Sequence, residues 1–558
     1  MSIIRKAVVI PDDTPRNFRR SPSDGDLTDE TKASEIGRAL DRLNPCELGC
    51  LAARIREVER ERWENQVPPP NCLSWPVRAL LALIVLAVFF SCTRQGSPYR
   101  FDADDIMNLH QSYAAPAKAL LRALVFPFTT FNRPVGGLYY RICFDLFGWN
   151  PPAFRSVTFV FMVANLALLY LLARRLTGSV EIGAITALLF SFHGRLGGIY
   201  ASNGTVYDVL CASFTLLTLW YYIRTRQESR PWTLPRIFIL SLFYIAALNA
   251  KEMAAIVPLL LLLFEWLCCE PRDLRHKAWI PVALMILTAA AIWGKMQPGG
   301  PFYGNLYSSE YTLRRFFQNA RGLQSEFFYL PARTLSSRQV IAIWFSLFAI
   351  PVWVKPRMRR ALWFSAAFAL LGPLPAIFVL YRGYYVMYLP MAGWAIYCSI
   401  LLVMTRDWMV REVRRRRPMG PGGWAVARLA LAAAVALLVA DGTRDSDFRK
   451  PRTNPMWAIV DDTRADFLRL NEPLPEHSRS LLLHSRFPAD SWEPLMIARL
   501  LYRDPDLWLD RPTLLSAPVT DAAMAGYDRV FDFDGERMFV VAQRAASTSQ
   551  GRSVELPH

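Results

Sequence analysis

The chain has 558 residues, 53% of them hydrophobic, and a formal net charge of +17. The apolar residues gather into runs of about 16–20, the length a helix needs to cross roughly 30 Å of hydrocarbon, which excludes a string of ordinary soluble domains. The basic excess lies in short arginine clusters between those runs, as in the cytoplasmic loops of membrane proteins, which excludes nucleic acid as its reason.

Residues 1–76 read as a polar cytoplasmic tail, rich at its start in Pro, Asp, Arg and Ser. A charged stretch from Glu35 to Glu64 has the composition of a surface helix, ended by Pro68-Pro69-Pro70. No cleavable signal peptide is evident, because the first apolar run follows this tail rather than opening the chain.

Residues 77–440 form a multi-span membrane domain. The apolar runs are eleven: 77–93, 156–173, 180–197, 206–223, 237–250, 254–269, 278–294, 339–354, 362–380, 385–404 and 424–440. With the N-terminus cytoplasmic, the inside loops hold Arg174-Arg175, Arg224 to Arg236, Arg272 to Lys277, Lys355 to Arg360, and Arg406 to Arg417. The short outside loops hold only Arg195, Lys251 and Arg382. This asymmetry sets the orientation, and an odd number of spans puts the C-terminus outside. Two long outer loops, 94–155 and 295–338, are too apolar and aromatic for plain linkers. Ala114 to Phe128 reads as an interfacial amphipathic helix, and Tyr303 to Tyr329 mixes aromatics with arginines in the same way.

Residues 441–558 form an extracytoplasmic domain of small α/β type. Ser480 to His484 reads as a buried strand and Trp492 to Tyr502 as a helix. Arg529 to Phe533 and Met538 to Val541 flank the hairpin signal Asp534-Gly535. The nine cysteines have neither metal-site nor disulfide spacing. The expected fold class is therefore an α-helical polytopic membrane protein, about eleven transmembrane helices with a small extracytoplasmic α/β domain.

The chemistry-bearing residues cluster at the outer ends of the runs. Asp102, Asp104 and Asp105 follow the first run in the order YRFDADD. Carboxylates this near a span are costly unless they face water or a site. Their plain alternative is a solvated loop, with Asp104 or Asp105 capping a helix that starts at Ile106. Asn132-Arg133-Pro134 places Arg133 where it binds an anion or anchors at headgroup level. FHGRLGGIYASNGTVYD supplies His193, Tyr200, Asn203 and Asp208, with His193 as readily a satisfied bundle histidine. The Asn203-Gly204-Thr205 sequon reads as accidental. Asn249-Ala250-Lys251-Glu252 puts a Lys–Glu pair between two spans, where self-neutralisation is the plain reading. YRGYYVMYLP places Arg382 among aromatics, as a site or as part of an interfacial belt.

In this order FDADD, NRP, FG.NPPAFR, FHG…NG..YD, NAKE and YRGYYVMYLP resemble the C superfamily of membrane glycosyltransferases, nearest the protein O-mannosyltransferase branch (family 39) and its bacterial relatives. The resemblance covers roughly residues 77–404. It implies a polyprenyl-phosphate sugar donor and a protein, lipid or glycan acceptor. It also implies an acidic pair at Asp104-Asp105, with Asp102 as an extra candidate, and donor cations at Lys251 and Arg382, beside which Arg133 stands as a candidate from its own motif. His193, Tyr200, Asn203, Asp208 and Glu252 are then candidates for substrate contact. No cofactor is firm, a divalent cation at the carboxylates being open. Gly194 departs from the commoner proline, and the terminal repeats of many relatives are lacking. Motif order and an Ala- and Arg-rich composition point to a bacterial inner membrane. The rivals are a transporter, a flippase or polymerase of lipid-linked glycans, or a sensor whose outer domain binds a ligand. A transporter wants polar groups at mid-membrane in paired halves. Here they collect at the outer ends.

Overall fold

The computed structural model describes residues 75–93, 99–125, 132–268, 278–297, 309–331, 334–380, 383–416, 421–444, 455–515 and 518–543. The expected tail, with its Glu35–Glu64 helix, and Arg382 lie outside the described residues. The first helices are α1 (Trp75–Thr93), α2 (Ala103–Ala114), α3 (Ala117–Val125), α4 (Pro134–Phe147), α5 (Pro151–Thr177), α6 (Val180–Ser191), α7 (Gly197–Ala201) and α8 (Val206–Gln227). Then come α9 (Leu234–Ala250), α10 (Val257–Cys268), α11 (Trp279–Met296), α12 (Leu313–Phe327), α13 (Ser337–Ala349), α14 (Pro356–Leu371), α15 (Leu374–Ile377), α16 (Tyr388–Arg416) and α17 (Pro421–Arg444).

Among the described residues, seven helices are long and apolar enough to cross a membrane. They account for the first, second, fourth, seventh, ninth, tenth and eleventh expected runs. The third run is broken: α6 and residues 194–201 are bent by 52° to each other. The break comes where Phe192 and His193 turn extended. The fifth and eighth runs are shorter apolar helices, Leu234–Ala250 and Ser337–Trp353. The sixth is the 12-residue α10 behind a 3-10 turn, Glu252–Ile256. These apolar helices make the chain a multi-pass membrane protein.

Helix α8 is the axis of the bundle. It packs on α5 and α9, while α16 packs on α14 and α6. Gly393 of α16 lets the α14–α16 pair close, since a Cβ there would meet the backbone of Ser365 and Ala369. By contrast α1 exposes Leu80, Leu83, Ile84 and Phe90, and α17 exposes Leu429 and Leu437, the surface that suits lipid rather than water. The arginine-rich ends are tied down by acids. Glu265 accepts from Arg226 at 2.7 Å and from Tyr222 at 2.8 Å, and Arg175 meets Glu228 at 2.6 Å.

The C-terminal domain contains α18 (Pro455–Leu470), β1 (Arg479–Leu482), α19 (Glu493–Leu501), β2 (Trp508–Asp510), α20 (Asp521–Met524), β3 (Arg529–Phe533) and β4 (Met538–Gln543). The sheet order is β2-β1-β3-β4, with β1 parallel to both neighbours and β3-β4 an antiparallel hairpin. Gly535, with φ at 101°, makes that hairpin turn, as Asp534-Gly535 signals. The four-residue β1 is buried at three of its positions.

Candidate functional site

The site grows from the entry to α2. Phe101 is fully buried, edge-on to Trp149 and Phe154 at centroid distances of 5.6 and 5.2 Å, and fixes the chain just before the carboxylates. Asp102 is then the N-cap: its Oδ1 accepts from the Asp105 N–H at 2.9 Å, and Asp105 Oδ2 accepts from the Asp102 N–H at 3.2 Å. This reciprocal box starts the helix at Ala103. The capping alternative therefore applies to a different residue, Asp102 rather than Asp104 or Asp105. Sequence spacing pointed three residues too late because a box needs its second carboxylate at the third helical position.

The three carboxylates have separate environments. Asp105 is fully buried, and its other oxygen accepts from Tyr140 of α4 at 3.0 Å. Burial, and then the neighbouring Asp102 carboxylate, push it well above its ordinary value of 3.8. Asp104 is exposed beside it. Gly204 closes the other side: a Cβ there would lie 3.6 Å from Asp104 Cβ and 3.7 Å from Asp105 Oδ1. Asn203 next to it is buried, and its Oδ1 has no hydrogen-bond partner among the described residues. This turn is held by Arg155, whose guanidinium donates to the carbonyls of Tyr200 at 3.0 Å, Ser202 at 2.8 Å and Ile199.

A group of cations stands across two tyrosines. The Tyr140 ring lies 6.1 Å from Tyr207, and the Tyr207 hydroxyl donates to Asn108 of α2 at 3.0 Å. Arg133 sits 5.6 Å from the Tyr207 ring centroid. Its guanidinium makes a bidentate pair with Glu252 at 3.1 and 3.0 Å. The backbone of Arg133 takes φ of 57°, an uncommon conformation that turns the chain directly into Pro134 at the start of α4. Lys251 instead pairs with Asp208 at 2.6 Å and lies 4.8 Å from the Tyr385 ring centroid. Lys251 and Glu252 thus do not neutralise each other. The extended backbone at Lys251 turns the two side chains to different partners. Burial alone would raise the Glu252 carboxyl, yet Arg133 and Lys295 hold it well below its ordinary 4.5.

Of the expected residues, the structure brings Asp102, Asp104, Asp105 and Asn203 to one cluster, and Arg133, Lys251, Asp208 and Glu252 to the adjoining one. It does not bring in the side chains of His193 and Tyr200. The His193 ring stacks on Tyr329 at 4.4 Å, its Nε2 is 3.2 Å from the Phe327 carbonyl, and the Tyr200 hydroxyl accepts from the His193 N–H at 3.2 Å. Arg382 lies outside the described residues. Its neighbour Tyr385 is the ring against Lys251. Lys295, Tyr140, Tyr207, Asn108 and Arg155 belong to the site and were missed. Lys295 closes an otherwise apolar run, a charge at a span end that carries the same signal as Lys251. For a cation, Asp102 and Asp105 are already engaged with each other. Among the described residues, His477, Asp504 and Asp506 hold ligand atoms within 4.8 Å of one another, in the C-terminal domain.

Comparison with known proteins adds the following. Residues 132–293 match the family model described as dolichyl-phosphate-mannose-protein mannosyltransferase. No curated protein matches the chain. The apo oligosaccharyltransferase of Archaeoglobus fulgidus aligns with a TM-score of 0.45 at 11% identity, over 77% of this chain and 64% of its own. ArnT from Cupriavidus metallidurans bound to undecaprenyl phosphate aligns at 0.44 and 13%, over 78% and 86%. Arabinofuranosyltransferase AftD from Mycobacteria aligns at 0.40 and 18%, over 75% and 30%. The chain thus spans less than two-thirds of the length of the archaeal oligosaccharyltransferase.

Proposed function

We propose that the chain, whose residues 132–293 match the mannosyltransferase family model, is a membrane glycosyltransferase of the C superfamily that transfers a sugar from a polyprenyl-phosphate donor to an acceptor hydroxyl at the outer face of the membrane. The observation that carries the reading is the contact chain from carboxylates to cations: Asp105 to Tyr140, Tyr140 to Tyr207, Tyr207 to Arg133. A donor laid along it has its phosphate by Arg133, Lys251 and Lys295 and its sugar by α2.

The acceptor oxygen attacks the anomeric carbon while the bond from that carbon to the phosphate oxygen breaks. The electron pair leaves with the phosphate, giving polyprenyl phosphate, and the acceptor proton passes to a carboxylate. Direct displacement inverts the anomeric centre. Cations preset at the leaving group stabilise the growing charge most where water is scarce. Arg133 is already paired with Glu252 and Lys251 with Asp208. Arg382 is a further donor cation in this reading.

Among the three carboxylates Asp104 is the general base. It is the exposed one of the three, and its Cβ lies beside Gly204. Asp105 has its oxygens committed to Tyr140 and the Asp102 N–H, so it orients α2, while Asp102 caps it. Asn203 and Glu252 line the substrate side, and Asp208 holds Lys251. The protein sits in an inner membrane with its C-terminal domain on the outer side.

Mass spectrometry of surface glycoproteins, glycolipids and polysaccharides, with and without the protein, tests this. A sugar lost from one acceptor, with its polyprenyl-phosphate donor accumulating, is the expected result. Unchanged glycans and lipid-linked sugars would refute it.

A further inference from the structure

Helix α2 has supports on two sides. The membrane domain holds one: Tyr140 donates to Asp105, and Arg141 Nη1 donates to the carbonyls of Tyr113 at 3.2 Å and Ala115 at 2.8 Å. The C-terminal domain holds the other, for both α18 and α19 pack on α2. Near the start of α2, Arg100 meets Asp461 at 3.4 Å. There too Arg464 lies 5.4 Å over Trp149, the ring that packs on Phe101. Toward its end, Arg499 Nη1 lies 3.4 Å from His110 Nε2, and the Tyr113 hydroxyl approaches the Arg503 carbonyl at 3.5 Å.

The Arg499–His110 contact has a defined polarity. Arg499 is itself fixed, donating through Nε to the Leu507 carbonyl at 2.7 Å and stacking 5.5 Å from the Trp508 ring centroid. Burial and this guanidinium hold His110 down to about 4, so the ring is neutral at neutral pH and Nε2 accepts. His110 is six residues beyond Asp104, a rise of about 9 Å along a rigid helix. A shift at one end of so short a lever moves the other.

We propose that the C-terminal domain sets the position of the acidic cluster, with Arg499 and His110 as positioning residues that act through α2. The inference rests on the reading of Asp104 as the base. A misplacement of about 1 Å in a reacting group costs on the order of a hundredfold in rate. Loss of the contact therefore lowers kcat, while the donor KM, governed by cations on other elements, stays put.

The test is steady-state release of polyprenyl phosphate by the purified full-length protein, using the donor that the glycan comparison identifies. Arg499→Ala and His110→Ala should each lose on the order of tenfold in kcat with donor KM unchanged. The double variant should lose no more than the worse single, since both break one contact. Arg499→Lys should recover most of the rate, because an ammonium also donates to Nε2. Wild-type kcat in both single variants, or losses that multiply in the double, would overturn the positioning role. Asp104→Asn measured alongside separates the two claims. If it is dead while the singles are normal, only the positioning role falls. If it turns over at the wild-type rate, the base assignment falls and takes this inference with it.

Discussion

In the proposed mechanism Asp102 and Asp104, two residues apart, have different tasks, so the same substitution should separate them. Asp102→Asn keeps an N-cap as good as the original, and its side-chain oxygen still accepts from the Asp105 N–H. Near-wild-type turnover is expected. Asp104→Asn keeps the size and loses the basicity, for a fall on the order of 10²–10⁴ in kcat. Equal loss in both variants, at matched expression, would contradict the division. Glu252 offers a pH test of the cation group. Its folded value is depressed, so the stability it contributes is present above the ordinary 4.5 and is lost as pH falls toward the folded value. Arg133→Ala removes one of the two cations responsible. Thermal unfolding of the variant should depend less steeply on pH below about 4.5 than the wild type does. Identical acid limbs would mean the pair is not formed. The identities of these residues were legible in the sequence because each breaks an apolar background. Their pairings were not, because Arg133–Glu252 and Lys251–Asp208 join positions 119 and 43 residues apart, a matter of helix packing.

At the level of elements, apolar runs and turn residues carried most of the information. The β3-β4 hairpin follows from the turn signal Asp534-Gly535, and α5 from the apolar run 156–173, which the structure extends to Pro151 and Thr177. Strand β2 was missed because its three residues give alternation nothing to act on. The bend after α6 was missed for another reason: residues 180–197 average as an apolar run despite Glu181, His193 and Arg195, and hydropathy does not register a change of backbone direction. Close helix approach was equally hidden. Gly393→Ala should push α16 off α14, since the new Cβ would lie 2.7 Å from the Ser365 carbonyl. Overpacking of that kind costs roughly 1–3 kcal/mol. A fall in the thermal midpoint of the detergent-solubilised protein is expected, and an unchanged midpoint would show that the pair packs less tightly than described here.

For the whole molecule, the arginine distribution and the position of the C-terminal domain make one statement about sidedness. Gly526 and Ser229 lie at opposite poles of that statement, the first in the outer domain and the second in an arginine-rich loop. In intact cells an impermeant thiol reagent should label Gly526→Cys and spare Ser229→Cys. The reverse pattern would invert the orientation. Sidedness matters because the acidic helix packs on the C-terminal domain, so the proposed transfer would take place on that domain's side of the membrane. The most direct measurement is release of polyprenyl phosphate from a polyprenyl-phosphate sugar by purified wild type and Asp104→Asn, with the anomeric configuration of the product read by NMR. Turnover with inversion in the wild type, and its loss in a variant that still folds and inserts, is the expected result. Equal turnover by both proteins, or a retained configuration, would contradict it.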